Sequence, residues 1–428
     1  MSACENWLND GNDILHMDMN GAFAENECFH RPEIRDKPVI VAGGPELRKG
    51  IVLARNSHAK KYKIKTAETL NDARAKCPDL VVCPPNYPLY KKYCHQLFDN
   101  ICSTYSNLVE IFSIDEGFMN IRGARKLFQM TGEDFATTIR ERVKREMGIT
   151  ISVGVSYNKI FAKLASDQAG TDETQIYGKE NYKDTVWTLP VTELFGVGRA
   201  TARKLDLRSV YTIGDLAQTP LDRLRSWLGK WGEYLWIYAN GKDASPVRPK
   251  GYVSPRKSVG NGRTTPRDLV TVDDVEITFM VLCESVATQL RADGLLATTV
   301  EISLRDNNLM GFTRQRKLKY PTCLASELFE NTMQLFHENY SFRYRPPLRS
   351  IGIRGSNVIS HLTTIQLDLF SNAERRQKEE RLAHTIDELR AKYGRDVIVR
   401  AKQMQDRELG IYDPNIFPDM PSYSVMGE

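Results

Sequence analysis

The sequence predicts a multidomain α+β protein, and three observations carry that prediction. The chain has 428 residues, 41% hydrophobic and 26% charged, which suits about three or four packed domains. Strand-like alternation and helical periodicity succeed one another through residues 1–170, whereas residues 191–241 read as short helices. A polar stretch with Gly and Pro at residues 250–267 then reads as a linker to a second α/β region that ends near Gly355.

The opening apolar segment, Ile14–Met19, reads as a short buried strand that ends in Asp18, and a helix starts at Ala22. Residues 38–41 and 50–54 read as two further strands around the turn formers Gly43, Gly44 and Pro45, followed by a basic helical run over residues 58–65. After Pro84, Pro85 and Pro88, residues 90–105 have helical periodicity, and residues 109–121 switch to the alternation of a strand pair. A helix over Gly132–Met147, a strand over residues 150–155 and a helix over residues 159–169 close the first region near Gly170. The tail carries a charged helix over Ala373–Tyr393 and a short apolar strand over residues 397–400.

Composition narrows the class of function. No run approaches the roughly 18 apolar residues of a membrane span, and residues 1–10 lack the basic patch and apolar run of a secretion signal, so a cytoplasmic protein is expected. The eight cysteines are scattered, without the close pairs of a zinc site or redox dithiol, and read as reduced packing residues. A net charge of +5 is mild for this length, so binding to nucleic acid calls for local clusters of Lys and Arg.

Three carboxylates stand out by context: Asp18 at a strand end, and the pair Asp115 and Glu116 inside an otherwise apolar strand pair. Buried charge is costly unless something pairs it. Neighbouring strand residues point to opposite faces, so Asp115 and Glu116 converge only near a bend, which Gly117 would permit. Carboxylates that meet repel one another, and a hard divalent cation with oxygen ligands is the usual remedy, for which magnesium fits. Two such ions would activate an attacking hydroxyl and stabilise a leaving oxygen. The plain alternative is a turn aspartate and a solvated hairpin end.

The segments HMDMNGAFAENE, FSIDEGFMNI and VGVSYNKIFAKLASD, in this order and spacing, resemble the successive motifs of Y-family translesion DNA polymerases of the bacterial polymerase IV and UmuC-like branch. The resemblance spans nearly the whole chain. It implies a right-hand polymerase with a palm in residues 1–24 and 79–170, small fingers in 25–78 and a helical thumb with a helix-hairpin-helix in 171–241. A linker at 242–267, an α/β little finger in 268–358 and a tail from 359 to 428 with a clamp-binding peptide complete the plan. The activity implied is template-directed, error-prone addition of dNTPs to a primer by phosphoryl transfer with two magnesium ions, without proofreading, by a monomer.

Carried over by position, Asp18 and Asp115 resemble the metal ligands, Glu116 the further catalytic carboxylate at the metals, and the Met19 carbonyl the backbone ligand. Phe23 takes the place of the aromatic steric gate against the ribose 2′-hydroxyl; an apolar helix face in the core is its other reading. Lys60 and Lys159 fall where the family contacts the incoming triphosphate, and ammonium groups there would neutralise charge developing on the phosphates. The chain departs from the family pattern at Ser57, where a tyrosine is usual, and at Lys60, where an arginine is usual. Gly21 and Ala22 replace bulkier residues beside the gate.

The segment LFGVGRATARKL, with Gly196 and Gly198, resembles a helix-hairpin-helix whose backbone amides approach a DNA phosphate. Between residues 312 and 354, eight cations face three acids, and Arg314, Arg316, Lys317 and Lys319 are among them. That excess suits a surface that follows phosphates; a solvated strand face is the alternative. The peptide QLDLF, with Gln366, Leu367, Leu369 and Phe370, resembles the one by which bacterial polymerases dock on the sliding clamp. A silent DNA-binding scaffold predicts loss of a metal carboxylate, and a nucleotide cyclase predicts no hairpin thumb, basic little finger or clamp peptide. The sequence retains all of these features.

Overall fold

The computed structural model describes residues 11–43, 50–364 and 373–410. Two compact units account for them, one of residues 11–43 and 51–254 and one of residues 50, 255–364 and 373–410.

In the first unit the strands are β1 (Ile14–Met19), β2 (Val39–Ala42), β3 (Val52–Arg55), β4 (Val81–Cys83), β5 (Val109–Ile111), β6 (Glu116–Asn120), β7 (Ile151–Ser156) and β8 (Thr174–Tyr177). Five form one sheet in the order β5-β6-β1-β7-β8, with β1 antiparallel to both β6 and β7. Both faces of β1 are covered, which is why its sequence is a nearly continuous apolar run. Leu15, Met17 and Met19 pack with Phe135, Ile139 and Val143 of the helix Gly132–Met147. Ile14 packs on the other face with Ile160, Phe161 and Leu164 of the helix Lys159–Gln168, and by strand alternation His16 and Asp18 share that face.

Gly154 on β7 seats this helix. A Cβ added there would lie 1.9 Å from the Ala162 carbonyl and 2.4 Å from the Ser166 amide, so only glycine lets the helix backbone touch the sheet. Lys163 and Ser166 are thereby brought over β1.

A second, smaller sheet has the order β3-β2-β4 and packs with the helices Ser57–Lys61 and Leu70–Lys76. Buried Asn56 ties it together: its side chain accepts from the amides of Val39 at 3.0 Å and Ala59 at 2.9 Å and donates to the Lys37 carbonyl at 2.8 Å. Two strands fall beyond the boundaries expected at residues 78 and 170. β4 runs parallel to β2 and β8 parallel to β7, and parallel partners reached by crossovers leave no hairpin signal in the sequence. The helices Arg199–Asp206, Ile213–Gln218, Leu221–Leu228 and Lys230–Ala239 then pack around Leu205, Leu216, Leu224 and Leu235.

The second unit contains β9 (Ser258–Leu269), β10 (Leu295–Asp306), β11 (Gly311–Thr322), β12 (Leu348–Ser356) and β13 (Ile359–Ser360). Its antiparallel sheet has the order β11-β10-β12-β9, with β13 paired to β10, and the helices Val272–Ala292 and Ala325–Asn339 complete its core. β9 corrects the expectation of a linker up to residue 267. Two of its buried positions hold Arg263 and Thr265 rather than apolar residues, so no hydrophobic alternation is visible; Arg263 donates to the carbonyls of Glu408 and Leu409 at 2.7 Å.

The tail helix Ala373–Tyr393 is anchored to this unit. Arg291 meets Asp387 at 2.6 Å, and Arg390 and Arg400 both reach Glu284, at 3.0 and 2.6 Å. The strand expected over residues 397–400 is replaced by the 3-10 turn Arg395–Val397, and the Ile398 carbonyl accepts from Arg390 at 3.1 Å rather than from a sheet neighbour. Seven cysteines among the described residues are buried and free, as their spacing suggests. Among the described residues no helix is long and apolar enough to cross a membrane.

Candidate active site

The end of β1 meets the start of β6. Asp18 stands opposite Glu116 in the register, and the Met19 amide donates to the Asp115 carbonyl at 3.0 Å, so pairing continues one residue past β6. The bend expected at Gly117 falls earlier, at residues 113–115. Gly117 lies inside β6, where a Cβ would come 2.7 Å from Phe98 and 2.8 Å from the Glu110 carbonyl. Its role is close packing. The Ser113 hydroxyl donates to the Asp115 carboxylate and holds it on the bend.

The three carboxylates feel one another. Burial, together with the charges of Asp115 and Glu116, pushes the Asp18 carboxyl up to about 8. Burial also raises Asp115, against the Ser113 hydrogen bond. For Glu116 burial acts upward too, but contacts with His16 and Lys163 hold it down at about 2. Lys163 places its ammonium 2.6 Å from Glu116 Oε2 and 3.4 Å from Asp167. Burial alone would lower its pKa, and these acids raise it instead.

His16 is fully enclosed beside them, with Nδ1 2.6 Å from Ser166 Oγ and Nε2 3.4 Å from Glu116 Oε2. Burial lowers its pKa, so the ring is neutral near pH 7. At that pH the charge that keeps Glu116 ionised is the Lys163 ammonium.

Among the described residues no three His, Cys, Asp or Glu side chains already converge on a point where an ion would sit. Asp115 is turned to Ser113 and Glu116 to Lys163. The donor set nevertheless fits a hard divalent cation: three carboxylates supply oxygen ligands, and Asp18 is raised by burial beside two further acids, an effect that Lys163 offsets only in part.

The structure corrects the expectation for Lys159. That residue is 2% exposed, with its ammonium 2.9 Å from both Glu110 oxygens and 4.8 Å from the Phe118 ring centre. It is committed to a buried ion pair. Lys163, one helical turn later, reaches the carboxylates instead, and the i, i+4 series Lys159, Lys163, Asp167 is the sequence signal that points to it. His16, two residues before Asp18 on the same strand face, was legible by alternation in the same way.

Phe23 is half-buried and stacks on Tyr90, with ring centres 4.2 Å apart and planes 5° from parallel; Tyr90 in turn donates to Glu27 at 3.0 Å. Gly21 precedes its helix at φ 61°, with the Arg55 carbonyl 3.2 Å from where a Cβ would stand, so the small residue there answers a backbone need. Lys60 is exposed on the helix Ser57–Lys61, and the Ser57 amide donates to Glu25 at 3.3 Å.

Away from the carboxylates, Gly196 adopts φ 89° under Trp231, whose indole donates to its carbonyl at 3.1 Å, and Gly198 caps the helix Arg199–Asp206 with open space on its Cα. On β11, Arg314, Lys317 and Lys319 are exposed, whereas Arg316 is bound to Glu338 at 2.6 Å and Gln334 at 2.7 Å. Gln366, Leu367, Leu369 and Phe370 lie outside the described residues.

Comparison with known proteins gives this arrangement its family. The impB/mucB/samB family matches residues 17–167 and its C-terminal domain residues 256–369, while the thumb domain of DNA polymerase-iota matches residues 192–243. DNA polymerase IV of Acetivibrio thermocellus is 43% identical over 92% of this chain and 98% of its own. DNA polymerase IV of Pelotomaculum thermopropionicum is 35% identical over 91% of this chain and 94% of its own. Among solved structures, a Y-family DNA polymerase chimera aligns with a TM-score of 0.70 at 21% identity, covering 81% of this chain and 99% of its own. The fold is therefore that of a Y-family polymerase. The chain belongs to the impB/mucB/samB family, the bacterial Y-family DNA polymerases.

Proposed function

We propose that this chain extends a primer on a DNA template with dNTPs, in translesion synthesis and without proofreading, by metal-assisted phosphoryl transfer. The observation that carries the reading is the meeting of Asp18, Asp115 and Glu116 at the ends of β1 and β6, with Lys163 against Glu116. Asp18, Asp115, Glu116 and the Met19 carbonyl would hold two magnesium ions, which when bound activate the primer 3′-hydroxyl and stabilise the leaving oxygen.

The chain's own cations and rings do the rest. Lys163 replaces Lys159 in the expected triphosphate role: its desolvated ammonium exchanges Glu116 for a phosphate oxygen and stabilises charge there. Lys60, exposed on its helix, is placed in this reading against the outer phosphates. Phe23, fixed by its stack on Tyr90, presents a rigid edge to the sugar and acts against a 2′-hydroxyl.

In this reading the five-stranded sheet is the palm, the small sheet β3-β2-β4 the fingers and the helices after residue 182 the thumb. The second unit, with its β11 cations, is the little finger. Gly196 and Gly198 would offer backbone amides to one DNA phosphate, and Arg314, Lys317 and Lys319 would follow others. The peptide at Gln366, Leu367, Leu369 and Phe370 would dock on a sliding clamp and compensate for a weak hold on DNA. The protein would act as a monomer in the cytoplasm.

Primer extension on a short primed template tests the activity. Addition of the template-directed nucleotide only when magnesium is present supports the reading; no addition, with sliding clamp supplied, would leave a DNA-binding scaffold in its place. A Leu369→Ala plus Phe370→Ala variant that still binds the clamp would remove the docking role from the peptide.

A further inference from the structure

One buried polar side chain in the site has no part in the reaction as read so far. His16 is fully enclosed on β1, where an apolar residue would avoid the cost of burying two ring nitrogens. Its ring lies 4.6 Å from that of Phe118, and its Nδ1 is 2.6 Å from Ser166 Oγ. Nε2 points at Glu116 Oε2 across 3.4 Å, short of a full hydrogen bond. The same Oε2 accepts from Lys163 at 2.6 Å.

We propose that His16 is a positioning residue for Glu116: its Nε2–H and the Lys163 ammonium hold Oε2 on the protein side and turn Oε1 toward the metal ions. The inference rests on the reading of Asp18, Asp115 and Glu116 as metal ligands. Proton accounting supports it. A carboxylate only accepts hydrogen bonds, so the nitrogen facing it carries the hydrogen. On the other side of the ring Nδ1 meets Ser166 Oγ at 2.6 Å, and that oxygen also lies 2.8 Å from the Lys163 carbonyl. Ser166 thus fixes the orientation of the ring, on the helix that Gly154 seats against the sheet.

The arrangement matters most during turnover. When Lys163 leaves Glu116 for a phosphate, His16 is the donor that stays on Oε2. Contacts that are long in a substrate-free site commonly tighten in the reacting complex, and here a small movement of the Glu116 carboxylate completes the bond.

The test uses the full chain with a dideoxy-terminated primer, template and dNTP, so that no reaction occurs, and titrates manganese by electron paramagnetic resonance. His16→Phe keeps a ring against Phe118 but removes both nitrogens, His16→Gln restores a donor, and Ser166→Ala removes the hydroxyl that holds Nδ1. Manganese binding by His16→Phe should weaken about tenfold or more, with His16→Gln restoring much of it and Ser166→Ala falling between. Single-turnover insertion on an extendable primer should slow in the same order, with the dNTP KM moved less than about twofold. Wild-type manganese binding and insertion in His16→Phe and Ser166→Ala would reduce the ring to packing and overturn the proposal. Should His16→Phe fail to fold in a thermal melt, Ser166→Ala decides, and wild-type behaviour there overturns it equally. Manganese binding that survives Asp115→Ala unchanged would instead sink the metal reading beneath it.

Discussion

Two lysines one helical turn apart serve opposite ends: the Lys163 ammonium lies 2.6 Å from Glu116 Oε2, whereas that of Lys159 is held 2.9 Å from Glu110 in the interior. Lys163→Met should lower kcat/KM for dNTPs about tenfold or more while leaving the fold intact. Lys159→Met should leave the dNTP KM unchanged and cost about 3–5 kcal/mol of stability, because Glu110 stays buried without its partner. Steady-state kinetics beside urea unfolding separates the two, and the reverse pattern would return the triphosphate to Lys159.

The raised Asp18 gives metal binding a pH dependence. Without an ion, this carboxyl keeps its proton up to about 8, so below that pH an incoming ion has to displace it. Apparent magnesium affinity should therefore rise with pH, by up to about tenfold per unit for one proton, and level off above the Asp18 value. The ion-free fold should behave in the opposite sense. A carboxyl raised from 3.8 to about 8 favours the native state at low pH and loses that advantage as pH climbs through this window. Calorimetric titration with magnesium across that range checks the first statement, and a flat profile would contradict it.

Phe23 stacks on Tyr90, and that stack fixes where its edge stands. Phe23→Ala should relax sugar discrimination, raising ribonucleotide insertion relative to deoxynucleotide insertion about tenfold or more. Single-nucleotide insertion with CTP and dCTP reads this directly. Unchanged discrimination would reduce Phe23 to core packing.

In the second unit, Asp274 closes the capping box with Thr271 at the start of the helix Val272–Ala292. It accepts from the amides of Val270 at 2.9 Å and Thr271 at 3.0 Å and from Arg267 at 2.7 Å. Burial alone would raise it, but these donors hold it down at about 2. Because the folded value is depressed, its stabilisation is present above the ordinary value of 3.8 and is lost as pH falls through about 2. Asp274→Asn should cost about 2 kcal/mol near neutral pH, and the difference from wild type should vanish in acid. Urea unfolding at several pH values follows it; a difference that persists in acid would mean the capping geometry, not the charge, carries the effect.

Much of this site was readable in the residues. Asp18 at the end of an apolar strand, and Asp115 and Glu116 at the start of another, announce themselves because charge is rare in such runs. The helix Gly132–Met147, with Thr131 and Asp134 as its capping box, was visible for the same local reason. What escaped is tertiary. Ser166 meets His16 across 150 positions of sequence, through a contact that depends on the missing Cβ of Gly154. Lys159 and Lys163 look alike in the motif, and only their neighbours Glu110 and Glu116 tell them apart. β9 was hidden because Arg263 and Thr265 fill inward positions that usually hold apolar residues.

The central claim is that Asp115 and Glu116, with Asp18, carry phosphoryl transfer. The measurement that tests it most directly is primer extension with magnesium and dNTPs by the wild type and by the Asp115→Ala plus Glu116→Ala variant, each shown by thermal melting to be folded. Extension by the wild type alone is the predicted result. Extension by the folded double variant at the wild-type rate would contradict the account.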